Sequence, residues 1–437
     1  MSRGKALLKY LAAFVAVVLL GLALLYLAGL MPTEQVLGGV RASAAPIALL
    51  TEHPTLLYPD NRAYALDAVS DAFMLDHALY MDTRADPKSV LSNPRYDIDP
   101  VTEDPCGSVL ALADVGAAAD LPAANAHYLY YWMGFRALLR PLLTQLHYAQ
   151  LLELVSWLVV LAFAGALLTL FRHAAPPVAL LFAVCFAAMV PVSILNSLQH
   201  ACCFLLAFLG VMLVPLTGQK RRRGQGVDLP MLCFLLGAAT MYFDFYTTPI
   251  LTLTVPLTAA FLFRWRQDES ESKSEDWKLL GRCALAWACA YVGMWVAKVL
   301  LTEAFTDYPA VSRTLAAVAG RIGLLPAPAP EGGNSYTAGQ ALRACVGLLV
   351  TPETKLACVA LPLAWVVLLL RRRPQRAVLL RAIVLLALAA LPVLWIVAVP
   401  QPTFIHARFQ YRGLFGTLFA LSAFGAVTVA RRPEAGN

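Results

Sequence analysis

The chain has 437 residues, of which 59% are apolar and only 14% are charged, and its mean hydropathy is +0.66. Soluble enzymes carry a charged fraction of roughly a quarter, so this composition excludes an ordinary soluble protein. The formal net charge of +7 does not indicate a nucleic-acid partner, because the cations lie mostly between apolar segments. Membrane topology accounts for such cations. We therefore expect an integral membrane protein with membrane lipid around it.

Apolar stretches of about 20 residues recur along the chain, and each could cross about 30 Å of hydrocarbon. The first, Leu11 to Leu30, follows Arg3, Lys5 and Lys9. Its 20 apolar residues exceed the core of a typical signal peptide and no convincing small-residue cleavage site follows, which indicates a signal anchor rather than a cleaved leader. Nine more spans are predicted at residues 151–171, 178–195, 199–216, 230–247, 249–263, 282–301, 355–370, 377–399 and 413–430. The predicted fold class is an all-α, polytopic transmembrane helix bundle of about ten spans.

The distribution of positive charge indicates which connections face the cytoplasm. If the first span runs outward, 20 of the 34 Lys and Arg residues fall in cytoplasmic termini and short connectors. This agrees with the positive-inside rule, so we predict a multi-pass cell-membrane protein with both termini cytoplasmic. The chain then divides into the N-terminus with the first span (1–31), a large helical external loop (32–150), spans two to seven (151–301), a second external loop (302–354) and the last three spans with the tail (355–437).

The first external loop carries two carboxylates at helical spacing. Ala63 to Asp82 is predicted to form a helix, in which Asp67 and Asp71 lie about 40° apart. Like charges at this spacing repel, so the pair requires a proton, a cation or a metal ion between them. We interpret the pair as a general base or a metal ligand that faces a lipid-borne substrate. The alternative is a solvated helix face.

A second candidate is the aromatic stretch His127 to Gln150, predicted to be a helix at the level of the lipid headgroups. It carries Arg136 and Arg140 four residues apart. Guanidinium groups suit phosphate because their planar forks donate two hydrogen bonds at once. The alternative is that both cations anchor the helix by snorkelling at the membrane surface.

The last external loop repeats this spacing with Arg408 and Arg412, and His406 lies beside them. Positive charge on an outer loop opposes the inside bias, so these residues are candidates for binding an anion near the outer leaflet. Asp244, near the top of a helical hairpin, is either a site residue or half of a buried structural pair.

The nine cysteines offer one candidate pair. Cys106 and Cys345 are both predicted to be external and could form a disulfide between two loops, whereas the other seven cysteines are interpreted as small buried hydrophobes.

The sequence lacks the motifs of ATPases, dinucleotide-binding enzymes, zinc proteases and α/β-hydrolases. Those activities therefore have no support.

The layout of one N-terminal span, a large external loop with acidic residues on a helix and many further spans resembles the GT-C class of membrane glycosyltransferases. The segments Leu66 to Leu75, Tyr130 to Leu143 and Tyr242 to Pro256 are also similar to pieces of an uncharacterised family of polytopic bacterial membrane proteins. The second resemblance implies no activity.

The resemblance to the GT-C class implies transfer of a sugar from a polyprenyl-phosphate-linked donor to a cell-envelope acceptor on the external face. Asp67 or Asp71 would remove the proton from the acceptor hydroxyl. The charge on the departing lipid phosphate would be stabilised by arginines, a role implied for Arg136, Arg140, Arg408 and Arg412. A magnesium or manganese ion could take part as well.

Two other functions remain open. In a transporter or flippase, Asp244, Lys298, Glu303 and His200 would line a path and the external helices would form a gate. A path through the bilayer requires polar groups at several depths, whereas these cluster toward one face, which favours the enzyme. A noncatalytic envelope assembly protein is the third alternative.

Overall fold

The computed structural model of the protein describes residues 3–55, 66–99, 103–221, 228–266, 273–321, 336–372 and 376–429. The helices in these ranges are α1 Arg3–Gly29, α2 Thr33–Glu52, α3 Ala68–Leu79, α4 Ser89–Ser92, α5 Pro105–Ala113, α6 Arg136–Leu143, α7 Tyr148–His173, α8 Pro176–Ala187, α9 Pro191–Leu195, α10 Leu198–Arg221, α11 Leu229–Phe243, α12 Leu251–Arg266, α13 Lys273–Phe305, α14 Ala310–Arg321, α15 Ala338–Leu349, α16 Leu361–Arg372, α17 Arg376–Ala398, α18 Pro400–Ile405, α19 Ala407–Gln410 and α20 Leu414–Val429. Two short antiparallel strands, β1 Pro94–Arg95 and β2 Ala126–His127, pair with each other.

Five helices within the described residues are long and apolar enough to cross a membrane, namely α1, α7, α10, α13 and α17. The other five predicted spans coincide with α8, α11, α12, α16 and α20, which have 12 to 16 residues. A 16-residue helix rises only about 24 Å, less than the hydrocarbon thickness. The prediction of an all-α membrane bundle is confirmed, and length and composition support five of its ten spans.

The outer surface of the bundle is apolar. Leu7 is 72% exposed and Leu161 is 63% exposed, and large apolar side chains of the other long helices are exposed as well. Such a surface is unfavourable in water and matches the hydrocarbon of a bilayer.

Polar contacts define two ends of the bundle. At one end, Arg266 donates hydrogen bonds to the carbonyl oxygens of Arg172 and Ala174, and Trp265 donates one to Asp276. The opposite end of α7, about 39 Å away, carries the layer of helices α2, α3, α5 and α6. We call this second end the domain end.

Leucine and valine side chains hold this layer together. Leu37 of α2, Leu75 and Leu79 of α3, and Val109 and Leu112 of α5 are completely buried. Burial of an aliphatic side chain of this size contributes about 1.5 to 3 kcal/mol, so the layer folds as one packed unit on the bundle.

Two predicted helices differ from those observed. Helix α3 begins at Ala68, and the predicted start at Ala63 lies outside the described residues. The side chain of Asp67 accepts a hydrogen bond from the backbone N–H of Ser70, and an N-cap of this kind fixes where a helix begins. Asp67 therefore precedes the helix that was predicted to contain it.

The stretch 127–150 is not one helix. It contains the end of β2, an irregular segment, α6 and the start of α7. Gly134 lies in the irregular segment, and its N–H donates a 2.8 Å hydrogen bond to the carbonyl oxygen of Tyr242. A Cβ atom at Gly134 would lie 2.4 Å from the ring of Tyr242, so only glycine permits this close approach.

Candidate functional site

The carboxylate of Asp67 lies at the start of α3, at the domain end. Its Oδ1 accepts the capping hydrogen bond from Ser70, at 3.1 Å. Its Oδ2 is buried, and no group among the described residues donates a hydrogen bond to it. Burial raises the pKa of Asp67, against the lowering effect of hydrogen bonds from Ser70 and, to a smaller extent, of the positive charges of Arg412 and Arg408. Asp67 is thus a half-buried residue whose buried Oδ2 is unbonded in the described part of the chain and whose carboxylate is under the influence of two positive charges.

Arg412 is 1% exposed and is held by a network of hydrogen bonds. Its Nη2 donates to the hydroxyl of Ser193 at 2.7 Å, and its Nη1 lies 3.1 Å from Nε2 of His200. Nη1 also donates to the carbonyl oxygen of Arg408, one turn earlier. These bonds fix the guanidinium of Arg412, whose positive charge, like that of Arg408, acts on the carboxylate of Asp67.

A cavity of 510 Å³ lies beside Arg408, between α15 and the turn that contains α18 and α19. The exposed side chains of Arg343, His406 and Arg408 supply its basic groups. Its apolar part consists of Leu348, Phe404, Ile405 and Phe409. Basic and apolar groups in one cavity suit an anion that carries a hydrocarbon chain.

Asp71 differs from Asp67, because its carboxylate is fully hydrogen-bonded. It accepts hydrogen bonds from the hydroxyls of Tyr148 and Ser197 and from the backbone N–H groups of Leu198 and Gln199, at 2.9 to 3.2 Å. Burial and the neighbouring charge of Asp67 raise the pKa of Asp71 to about 7, against the lowering effect of these donors. Its position at the first turn of α10 is that of an anion at a helix N-terminus.

Arg136 and Arg140 do not join this site. Nη1 of Arg140 donates 2.7 Å hydrogen bonds to the carbonyl oxygens of Ala78 and Leu79, at the end of α3 opposite Asp67. The 12 residues of α3 separate its two ends by about 18 Å. Arg136 donates in the same way to the carbonyl oxygens of α4. Both guanidinium groups are completely buried, so they stabilise the C-terminal ends of two helices.

Asp244 closes a local turn. Its carboxylate accepts hydrogen bonds from the backbone N–H groups of Tyr246 and Thr247 and from the hydroxyl of Thr247. The same turn contacts the segment between α17 and α20, because the side chain of Gln410 donates a 2.9 Å hydrogen bond to the carbonyl oxygen of Tyr246. Asp244 therefore supports the loop that carries Arg408 and Arg412.

The side chains that would line a transport path have local partners instead. The ammonium group of Lys298 donates to the carbonyl oxygen of Leu91 and to the hydroxyl of Thr302. Glu303 accepts a 2.9 Å hydrogen bond from the backbone N–H of Val311. Each group thus completes the structure of a neighbouring turn.

Metal and disulfide chemistry have little basis in the part of the chain that the structure describes. Within it, no three His, Cys, Asp or Glu side chains lie close enough together to hold a metal ion, so we assign no residues to magnesium or manganese. Cys106 and Cys345, which the sequence left open as a disulfide pair, are both free and buried.

Two residues of the site were missed from the sequence. Arg343 faces the cavity from α15, where Ala341, Cys345 and Leu349 form the buried face. This apolar period of four could have shown that Arg343 points away from the core. Ser193 gave no sequence signal, because its role depends on the break between α8 and α10.

Comparisons of the chain with protein-family models, with curated proteins and with solved structures find no match.

Proposed function

We propose that this protein is a GT-C-like membrane glycosyltransferase that moves a sugar from a polyprenyl-phosphate-linked donor to a cell-envelope acceptor. The observation that carries the proposal is the buried Oδ2 of Asp67, which accepts no hydrogen bond from the described residues and lies near Arg408 and Arg412. A carboxylate oxygen in this state is available to a hydroxyl group, and the exposed guanidinium of Arg408 is available to an anion.

In this proposal the domain end faces the outside of the cell. The opposite end carries Arg172 and Arg266 on short connections, which the positive-inside rule assigns to the cytoplasm. The five shorter helices complete the ten spans, and both termini are cytoplasmic.

The chemistry divides between two groups. Asp67 removes the proton from the acceptor hydroxyl through Oδ2, since Oδ1 is engaged in capping α3. Arg412 and Arg408 stabilise the negative charge that develops on the lipid phosphate as its bond to the sugar breaks. The raised pKa of Asp67 makes it a stronger base than a solvated aspartate.

The cavity beside Arg408 supports a substrate of this class. A phosphate would meet Arg343, His406 and Arg408, and the first part of a hydrocarbon chain would contact Phe404 and Ile405. The local partners of Lys298 and Glu303 argue against transport, because a conducting path requires polar groups that are free to contact the substrate.

The substitution Asp67→Asn tests the proposal, because asparagine caps a helix as well as aspartate does and the fold should survive. We expect sugar transfer to fall by about 100-fold or more, the usual contribution of a general base. Transfer would be measured in membranes supplied with a panel of polyprenyl-phosphate-linked sugars, relative to the amount of folded protein.

The matched control is Asp104→Asn, which changes the N-cap of α5 in the same way at an exposed position and should leave transfer unchanged. Full transfer by Asp67→Asn would overturn the assignment of the base. Movement of the lipid-linked sugar across the membrane of liposomes that lack any acceptor would instead support a flippase.

A further inference from the structure

His200 lies between two groups whose hydrogen-bonding roles are fixed. Its Nε2 is 3.1 Å from Nη1 of Arg412, and its Nδ1 is 3.1 Å from the carbonyl oxygen of Ser193. His200 is 4% exposed, and its ring packs edge-on against Phe409. The imidazole is therefore held through both of its nitrogens, and Phe409 packs against the ring.

This arrangement determines where the proton of the ring is. A guanidinium group has only donors, so Nε2 of His200 must accept from Arg412. A carbonyl oxygen only accepts, so Nδ1 must carry the hydrogen and donate it to Ser193. His200 is therefore neutral and protonated on Nδ1, because a second proton on Nε2 would place two cations in contact inside the protein.

Ser193 completes the support of the same guanidinium. Its hydroxyl accepts from Nη2 of Arg412 and donates to the carbonyl oxygen of Val190. The two terminal nitrogens of Arg412 are thus held by α10 through His200 and by α9 through Ser193. The break between α8 and α10 is what brings the two supports together.

We propose that His200 is a positioning residue that keeps Arg412 directed toward the reacting phosphate. This inference rests on the proposed function, in which Arg412 stabilises charge that develops during transfer. A group that acts through Arg412 in this way affects kcat more than KM, because the charge is greatest in the transition state.

The test compares His200→Leu with His200→Gln. Leucine cannot accept from Arg412, whereas the side-chain oxygen of glutamine reaches about the place of Nε2 and can accept. We expect His200→Leu to lower kcat by about tenfold or more with KM changed by less than about twofold, and His200→Gln to restore kcat to within about threefold of the native value. His173→Leu, at the opposite end of the bundle, is the control and should leave kcat unchanged.

A purely structural role would lower the amount of folded protein in both variants and leave kcat per folded molecule unchanged, which would overturn the inference. Equal loss of kcat in the leucine and glutamine variants would overturn it too, because acceptance by the side chain would then be irrelevant.

A second measurement does not depend on activity. Nitrogen-15 NMR of histidine-labelled protein in liposomes distinguishes the two neutral tautomers, and the signals that His200→Gln removes belong to His200. We expect the Nδ1-protonated form, unchanged in Asp67→Asn and altered in Arg412→Leu. A cationic or Nε2-protonated ring would contradict the inference, whereas transfer by Asp67→Asn would contradict only the proposed function.

Discussion

The hydroxyl of Tyr148 donates a 2.9 Å hydrogen bond to the carboxylate of Asp71, and this bond joins the first turn of α7 to α3. The same carboxylate accepts from the N–H groups of Leu198 and Gln199, in the first turn of α10. One buried side chain thus connects the layer at the domain end to the long helices α7 and α10. A negative charge at the start of α10 is also favourable to the helix dipole.

The first prediction is that Asp71→Asn destabilises the protein. An asparagine side chain has one acceptor oxygen and a donating amide, whereas four donors converge on Asp71. We expect a loss of about 1 to 3 kcal/mol, the usual cost of leaving a buried donor unsatisfied. Thermal unfolding of the purified protein in detergent measures it.

Asp104→Asn is again the control. Its cap is exposed, so the variant should have the melting temperature of the native protein. A native melting temperature for Asp71→Asn, combined with loss of sugar transfer, would contradict this structural role and make Asp71 the catalytic carboxylate.

The sequence singled out Asp67, Arg408 and Arg412 for different reasons. Asp67 was chosen for its helical spacing from Asp71, and the two arginines were chosen because positive charge on a predicted outer loop opposes the inside bias. In the structure the positive charges of both arginines act on the carboxylate of Asp67. The loops of a membrane protein lie at its two surfaces, so a prediction of sidedness limits which distant parts of the chain can meet.

Arg136 and Arg140 have the same four-residue spacing as Arg408 and Arg412, but their partners in the structure are different. Four residues of separation place two side chains on one face of a helix, which is observed, but do not say what covers that face. The ends of α3 and α4 cover it, and their free carbonyl oxygens bind both guanidinium groups. Asp71 was misread for the same reason, because the start of α10 lies 127 residues away. Helix ends that meet only in the folded chain leave no local pattern in the sequence.

The second prediction concerns pH and Asp76 of α3. Its carboxylate is completely buried, and the backbone N–H of Tyr96 donates a 3.3 Å hydrogen bond to Oδ1. Burial raises the pKa of Asp76 to about 8, although the nearby charge of Arg95 lowers it. The unfolded chain has a pKa of about 3.9 at this residue, so between the two values the native state binds more protons. Asp76 therefore contributes stability at low pH that is lost as the pH rises through about 8.

We expect the melting temperature of the native protein to fall as the pH rises from about 4 to about 8, and to fall less in Asp76→Asn. The exposed Asp114→Asn variant serves as the control and should follow the native curve. Identical curves for Asp76→Asn and the native protein would show that Asp76 does not titrate in this range.

The third prediction is that Arg343 contributes to binding of a phosphate that carries a hydrocarbon chain. Arg343 and Arg408 reach one cavity from α15 and α19, two helices that are distant in the sequence. A water-soluble prenyl phosphate such as farnesyl phosphate has both features of the expected ligand. We expect Arg343→Gln to weaken its binding by about tenfold, because one charge-assisted hydrogen bond contributes about 1.5 to 3 kcal/mol. Equilibrium binding of the radiolabelled compound to the protein in detergent measures the change.

Three comparisons separate the sources of this affinity. Arg313→Gln removes an exposed arginine of α14 outside the cavity, so binding should persist if position rather than net charge matters. Farnesol should compete poorly if the arginines recognise the phosphate, and inorganic phosphate should compete poorly if Phe404 and Ile405 bind the chain. Native affinity in Arg343→Gln would remove this residue from the site. Equal affinity for farnesol would reduce the cavity to an apolar surface, because its basic groups would then contribute nothing to recognition.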